Sequence, residues 1–374
     1  MSLIDQTPAY SAPGLNTLPR ACSASSCASP DEVVAIRGEF TLELALRHAG
    51  RRQVTLRYES LGDARLPAAG SLVADLPVIF VAGGISADHH AAASATHTEA
   101  GWWDAQVGAG CAIDPAKCRV LAFDWIGADG SLDVPIDPAD QADAIAALLD
   151  ALDIAVIDRF VGCSYGAMVG LQFAARHGER LGQLIAISGT YRAHPYASAW
   201  RALQRRAVAL GALQCDETHG LELARQLAIL SYRTPEEFAA RFGASEVCDG
   251  RVRVAAEDYL DHCAAKFVAK TSPTAFLRLS ESIDLQAVDP ALINVPVTVV
   301  AVAEDRLIPV SEAYELVEQL RCGARAKEPR LHLLRSIYGH DAFLKEVDDI
   351  ADLLRGALSE DLRVDVRNNA AVAA

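Results

Sequence analysis

The sequence predicts an α/β protein: a mostly parallel, doubly wound sheet carrying an inserted helical segment. Three observations carry that expectation. Five near-continuous apolar runs recur along the chain, "LPVIFVAGG", "CRVLAFDWIG", "VIDRFVGCS", "LGQLIAISG" and "VPVTVVAVAED", and such runs belong to parallel strands covered on both faces. Helical patterns lie between them, and this alternation builds a doubly wound sheet. Between residues 190 and 294 the alternation stops and helical patterns alone follow.

Taken in order, residues 1–37 read as an irregular lead-in. The first residues have no basic stretch and no apolar stretch of the kind a secretory signal needs. "FTLELALR" and "QVTLRYESLG" alternate apolar and polar residues, which suits a half-exposed antiparallel entry to the sheet. Helices are expected at 138–154 and 164–178. The segment 190–294 holds five helical patterns, "ASAWRALQRRAVALG", "HGLELARQLAILSY", "TPEEFAARFG", "AAEDYLDHCAAKFVAK" and "SPTAFLRLSESI", with no strong strand among them. It is expected to form a lid over the carboxyl edge of the sheet. "LHLLRSIYGH" supplies the last strand. The core is therefore 38–189 with 295–360, and 361–374 is a frayed tail.

The totals narrow the function. The 374 residues are 51% hydrophobic, enough for one large domain with an insertion. The net charge of −15 argues against a nucleic-acid footprint, which needs a basic surface. No apolar run is long enough to cross a membrane. The nine cysteines are scattered, with no C-x-x-C and no zinc spacing, so reduced thiols in the cytoplasm and no metal are expected. The adjacent His89 and His90 point different ways and make no metal pair. His177 suits the C-terminus of a helix.

The chemistry is carried by Gly162-Cys163-Ser164-Tyr165-Gly166, at the junction of an expected strand and helix. A nucleophile elbow turns so sharply that the residues two away from the serine must be small. The alternative is a tight turn whose serine merely caps the helix. In α/β-hydrolase order the acid and then the histidine follow the serine. Asp305 closes the run "VPVTVVAVAED", with Glu304 a competitor beside it, and His340 follows the last strand in "SIYGHDAFL". An oxyanion hole would use the backbone N–H of Tyr165 and one from the loop "VAGGISADHH", with Ile85 the candidate and Ser86 its neighbour. The fold expected is thus the α/β-hydrolase fold with an inserted helical lid.

Further motifs resemble the homoserine O-acyltransferase family of the α/β-hydrolase superfamily. "GWWDAQVGAGCAID" is similar to its Gly-Trp-Trp segment and "LQRRAV" to its Gln-Arg-x-Ala segment. "SYRTPEEFAARF" and "EDYLDHCAAKFV" resemble two lid signatures, and "GHDAFL" resembles its histidine motif. The likeness covers most of residues 40–350. The sequence departs from the family in a shorter loop at 125–140, in Tyr165 where many members have methionine, and in Ala167 where many have glycine.

The resemblance implies ping-pong acyl transfer, a step toward methionine: Ser164 takes the acyl group from acyl-CoA and the γ-hydroxyl of L-homoserine receives it, with His340 as base. It further implies that Arg205 binds the amino-acid carboxylate and Asp341 the ammonium, with Tyr232 and Arg233 in the pocket. It implies a homodimer through the lid and no cofactor beyond the acyl-CoA co-substrate. Without the resemblance Arg205 reads as a solvated residue of an arginine-rich helix, and Asp341 as a residue that orients the histidine loop. Arg201 or Arg206 would suit the distal carboxylate of a succinyl group, which favours succinyl over acetyl. The competing readings are an L-serine O-acyltransferase, a plain serine esterase, and a lidded fold that only binds a ligand.

Overall fold

The computed structural model describes residues 33–62, 76–213, 217–323 and 327–359. The expected tail, most of the expected lead-in, and Cys22, Cys27 and Cys215 lie outside the described residues. Strand β1 (Ala35–Leu46) begins inside the expected lead-in and pairs antiparallel with β2 (Gly50–Leu61). Burial along β1 alternates almost residue by residue, as its polar–apolar alternation requires. The parallel strands follow: β3 (Val78–Ala82), β4 (Arg119–Phe123), β5 (Ile157–Cys163) and β6 (Leu181–Ile187). Helices α1 (Pro138–Ala151) and α2 (Tyr165–Arg176) connect them. Asp137 caps α1, accepting from Ala139 N, and Asp140 reaches back to the Asp137 N–H in a capping box.

The chain then leaves the sheet. Helices α3 (Pro195–Leu213), α4 (Glu217–Tyr232) and α5 (Pro235–Arg241) precede a small hairpin of β7 (Glu246–Cys248) and β8 (Arg251–Arg253), and α6 (Ala255–Val268) and α7 (Pro273–Asp284) follow. The hairpin corrects the expectation of a strand-free insertion. Its turn residues Asp249 and Gly250 both have positive φ, 52° and 75°, the conformation that an Asp-Gly hairpin turn adopts. The insertion stands on a two-stranded neck. Val288 N donates to Tyr191 O and Ala193 N to Gln286 O, both at 2.9 Å, so the lid begins and ends at one point.

The chain returns as β9 (Val297–Val302), α8 (Val310–Arg321), β10 (Arg330–Leu334), the short α9 (Ala342–Lys345) and α10 (Val347–Leu358). The strand order is β1-β2-β4-β3-β5-β6-β9-β10, antiparallel at β1-β2-β4 and parallel from there on. Successive residues of the central strands enter opposite faces. Phe80, Leu121, Phe160 and Leu184 join one apolar cluster, and Val81, Val120, Val161 and Ile185 join the other. Both faces are covered, which is why these strands read as unbroken apolar runs. Each such fully buried side chain contributes about 1.5–3 kcal/mol.

Candidate active site

Ser164 occupies a strained turn between β5 and α2, with φ 56° and ψ −115°, a conformation that costs a non-glycine residue about 1–3 kcal/mol. The turn is held from both sides. Ser164 N donates to Ile187 O at 2.8 Å and Gly166 N to Gly83 O at 2.9 Å. A Cβ at Gly166 would lie 2.1 Å from Ala82 O, and one at Gly162 would lie 2.4 Å from Gly166 O. Both glycines are therefore obligatory. Ser164 makes no side-chain capping bond to α2, so the hydroxyl is left for other work.

That hydroxyl meets the histidine. Ser164 Oγ lies 2.7 Å from His340 Nε2, and His340 Nδ1 lies 2.7 Å from Asp305 Oδ2. The other Asp305 oxygen accepts from Leu307 N at 2.9 Å and Ile308 N at 3.0 Å. Glu304, its sequence neighbour, is engaged elsewhere, accepting from Ser336 N at 2.8 Å and from Arg335. Burial pushes the Glu304 carboxyl up, but the Ser336 N–H and Arg335 hold it below its ordinary value. Burial would lower the His340 value, yet the charge and hydrogen bond of Asp305, with the charge of Asp341, raise it above 6.5 against the opposing charge of Arg201.

The His340 loop is braced by the lid. Gly339 has φ 57°, and an added Cβ there would meet Tyr232 O and Thr234 Cγ2 at 3.0 Å. Thr234 Oγ1 donates to Ile337 O. Arg233 pairs with Asp341 Oδ2 at 2.9 Å and with Glu237 Oε1 at 2.7 Å. The Tyr232 ring stands 6.0 Å from the imidazole, and its phenol is pushed up, chiefly by burial.

These groups open onto a cavity of about 410 Å³ enclosed by sheet-edge loops and lid helices. Ser164, His340, Asp341, Tyr232, Ile85 and Ser86 all line it. Gly84 brings its loop so near that a Cβ there would lie 3.9 Å from Ser164 Cβ. Among the described residues the backbone N–H groups of Tyr165 and Ile85 have no acceptor. Arg205 is placed differently from expectation. It does not line the cavity but is held by Asp284 Oδ2 at 2.7 Å and Ser280 Oγ at 3.0 Å. Arg201, about one turn earlier on α3, does line the cavity, and its Nε donates to Asp284 Oδ1 at 2.7 Å. Burial lowers its guanidinium's value. Arg206 is exposed and outside the cavity.

Other sequence candidates are accounted for. His89 pairs with Asp124 at 2.7 Å, His90 with Glu59 at 3.1 Å, and His177 with Asp143 at 2.8 Å. No His, Cys, Asp and Glu group suited to a metal occurs among the described residues. The Tyr165 hydroxyl, which sequence reasoning left without a role, is 2.6 Å from Ser282 Oγ on α7. It ties the serine's turn to the lid, which methionine at that position would not do.

A strained serine at a strand–helix turn, relayed to a histidine and an aspartate from later strands, defines a protein of the α/β-hydrolase class. The family model described as alpha/beta hydrolase fold matches residues 78–347. The chain is 60% identical over 332 residues to a homoserine O-succinyltransferase of Xanthomonas campestris pv. campestris, covering 88% of this chain and 86% of the relative. It is 32% identical over 290 residues to a homoserine O-acetyltransferase of Thermus thermophilus, covering 68% and 71%. A crystal structure of homoserine O-acetyltransferase from Bacillus anthracis superposes with TM-score 0.77 at 18% identity, over 88% of this chain and 99% of that one, and so speaks for the fold. The chain belongs to the homoserine O-acyltransferase family of α/β-hydrolase-fold proteins.

Proposed function

We propose that this protein transfers a succinyl group from succinyl-CoA to the γ-hydroxyl of L-homoserine, a step toward methionine, through an acyl-enzyme on Ser164. The observation that carries the reading is the unbroken Ser164–His340–Asp305 relay inside a lidded cavity that also presents a cation and an anion beside the base. His340 Nε2 takes the Ser164 proton as Oγ attacks the thioester carbonyl. The N–H groups of Tyr165 and Ile85 receive the oxyanion. The C–S bond breaks, and the departing CoA thiolate takes the proton back from His340. The homoserine hydroxyl then gives its proton to His340 and attacks the acyl carbonyl, and the same proton returns to Ser164 as the product ester leaves.

Homoserine is a zwitterion and needs one charge of each sign. Arg201 and Asp341 both face the cavity and both act on His340 electrostatically. Arg201 therefore takes the carboxylate and Asp341 the ammonium, while Arg205 supports them from behind through Asp284. This moves the clamp by about one turn of α3 from the residue the family motif marks.

The proposal extends to compartment and assembly. The described cysteines, Cys111, Cys118, Cys163, Cys248, Cys263 and Cys322, are all free thiols, which suits the cytoplasm. Leu203, Leu210 and Leu213 on α3 and Leu223 and Leu230 on α4 are exposed, and they support a homodimer through these lid helices. The test of function is a CoA-release assay crossing succinyl-CoA and acetyl-CoA with homoserine, serine and water. Turnover with succinyl-CoA that depends on homoserine is expected. Equal turnover without an amino acid would make the protein an esterase, and dependence on serine would make it a serine acyltransferase.

A further inference from the structure

Among the described residues, three Lys or Arg side chains line the cavity: Arg201, Arg225 and Lys270. They are not equivalent. Arg201 already has Asp284, and Lys270 is exposed. Arg225, on α4, is half-buried, and no carboxylate among the described residues approaches it. Its Nε is shielded from solvent without a hydrogen-bond partner. Aromatic rings hold it instead, with Cζ 4.8 Å from the Phe267 ring centroid and 5.8 Å from that of Tyr232. Such contacts offset only part of the cost of a desolvated guanidinium. A planar fork of donors fixed by stacking and lacking an anion is a site for a carboxylate. The Tyr232 ring that Arg225 faces is the ring beside His340, so the guanidinium and the reacting centre adjoin the same side chain.

We propose that Arg225 receives the distal carboxylate of the succinyl group and sets the preference for a dicarboxylic over a monocarboxylic acyl donor. This rests on the acyl-transfer reading above. A succinyl group bound to Ser164 extends two methylenes from its carbonyl before reaching its carboxylate. The apolar lining residues Met168, Leu279, Ile283 and Leu307 suit those methylenes. Of the two arginines that sequence alone offered for this role, Arg206 lies outside the cavity and Arg201 is already assigned to the homoserine carboxylate.

The test compares succinyl-CoA with butyryl-CoA, which has the same four-carbon chain and no carboxylate, in wild type, Arg225→Ala and Arg225→Lys. CoA release is followed with and without homoserine. Arg225→Ala is expected to lower the succinyl-to-butyryl ratio of kcat/KM by about 10–100-fold, the worth of one charge-assisted hydrogen-bond pair. Arg225→Lys should keep part of the preference. The ratio is independent of the folded fraction, because both rates scale with the same number of active sites. A ratio within about twofold of wild type in Arg225→Ala overturns the proposal. So does an equal loss with both donors, which would place Arg225 on the CoA moiety or on the acceptor. A wild type that prefers succinyl-CoA yet never acylates homoserine would instead remove the acceptor assignment, and the Arg225 ratio would still be read from CoA release.

Discussion

Asp305 Oδ2 and His340 Nδ1 lie 2.7 Å apart, and the other oxygen of the same carboxylate is fixed by the Leu307 and Ile308 N–H groups. The imidazole is thus held in one tautomer, with Nε2 free to accept the Ser164 proton. Asp305→Asn should lower kcat by about 10³–10⁴-fold while the fold survives. Glu304→Gln should leave kcat within about threefold, because Glu304 holds Arg335 and Ser336 rather than the base. Steady-state kinetics on the two variants separates them, and the reverse pattern would move the acid to Glu304.

The raised His340 value has two consequences. Transfer needs neutral imidazole, so kcat/KM should climb with pH through a midpoint above 6.5. In Asp305→Asn the residual activity should show that limb at lower pH, because burial then acts without the opposing carboxylate. For stability, a folded value above the unfolded one contributes fully below 6.5 and is lost as pH rises through the folded value. The gap in Tm between wild type and Asp305→Asn should therefore be wider at about pH 6 than at about pH 9. A gap that grows with pH would contradict the assignment.

Gly166→Ala should lower Tm by more than about 4 °C, since its Cβ would strike the Ala82 carbonyl, a backbone group that cannot swing aside. Gly356→Ala is the control. That helical glycine has open space around its missing Cβ, and alanine there should be neutral or stabilising by about 0.5–1 kcal/mol. Thermal unfolding of both variants checks the contrast.

Arg201→Ala should raise the KM for homoserine about 10–100-fold while CoA is still released once per active site. Arg205→Ala should act more weakly, through Asp284. Stopped-flow CoA release and homoserine saturation curves distinguish the two. A larger homoserine effect from Arg205→Ala would return the clamp to the residue the motif marks.

Much of this was legible in the sequence. The central strands announced themselves because both their faces are buried, and the order of Ser164, Asp305 and His340 followed from their places at strand ends. What remained hidden depends on tertiary placement. Arg201 and Arg205 share one helix, and which of them faces the cavity is set by how α3 rolls against α7 and Asp284. Glu304 and Asp305 are adjacent acids, separated only by the turn after β9 and the partners it offers. Arg225 was one arginine in a helical pattern, because being unpaired is a property of its surroundings. The β7–β8 hairpin differs, since its Asp249-Gly250 turn signal stands in the sequence itself, set among helical patterns.

Acyl transfer by this route requires a covalent succinyl group on Ser164. That group is read from the intact mass of the protein after mixing with succinyl-CoA in the absence of an acceptor. A gain of one succinyl group is expected, mapped by peptide sequencing to Ser164, absent in Ser164→Ala and removed from the wild type when homoserine is added. An adduct that persists in Ser164→Ala, or one on Ser164 that homoserine does not discharge, would contradict that route.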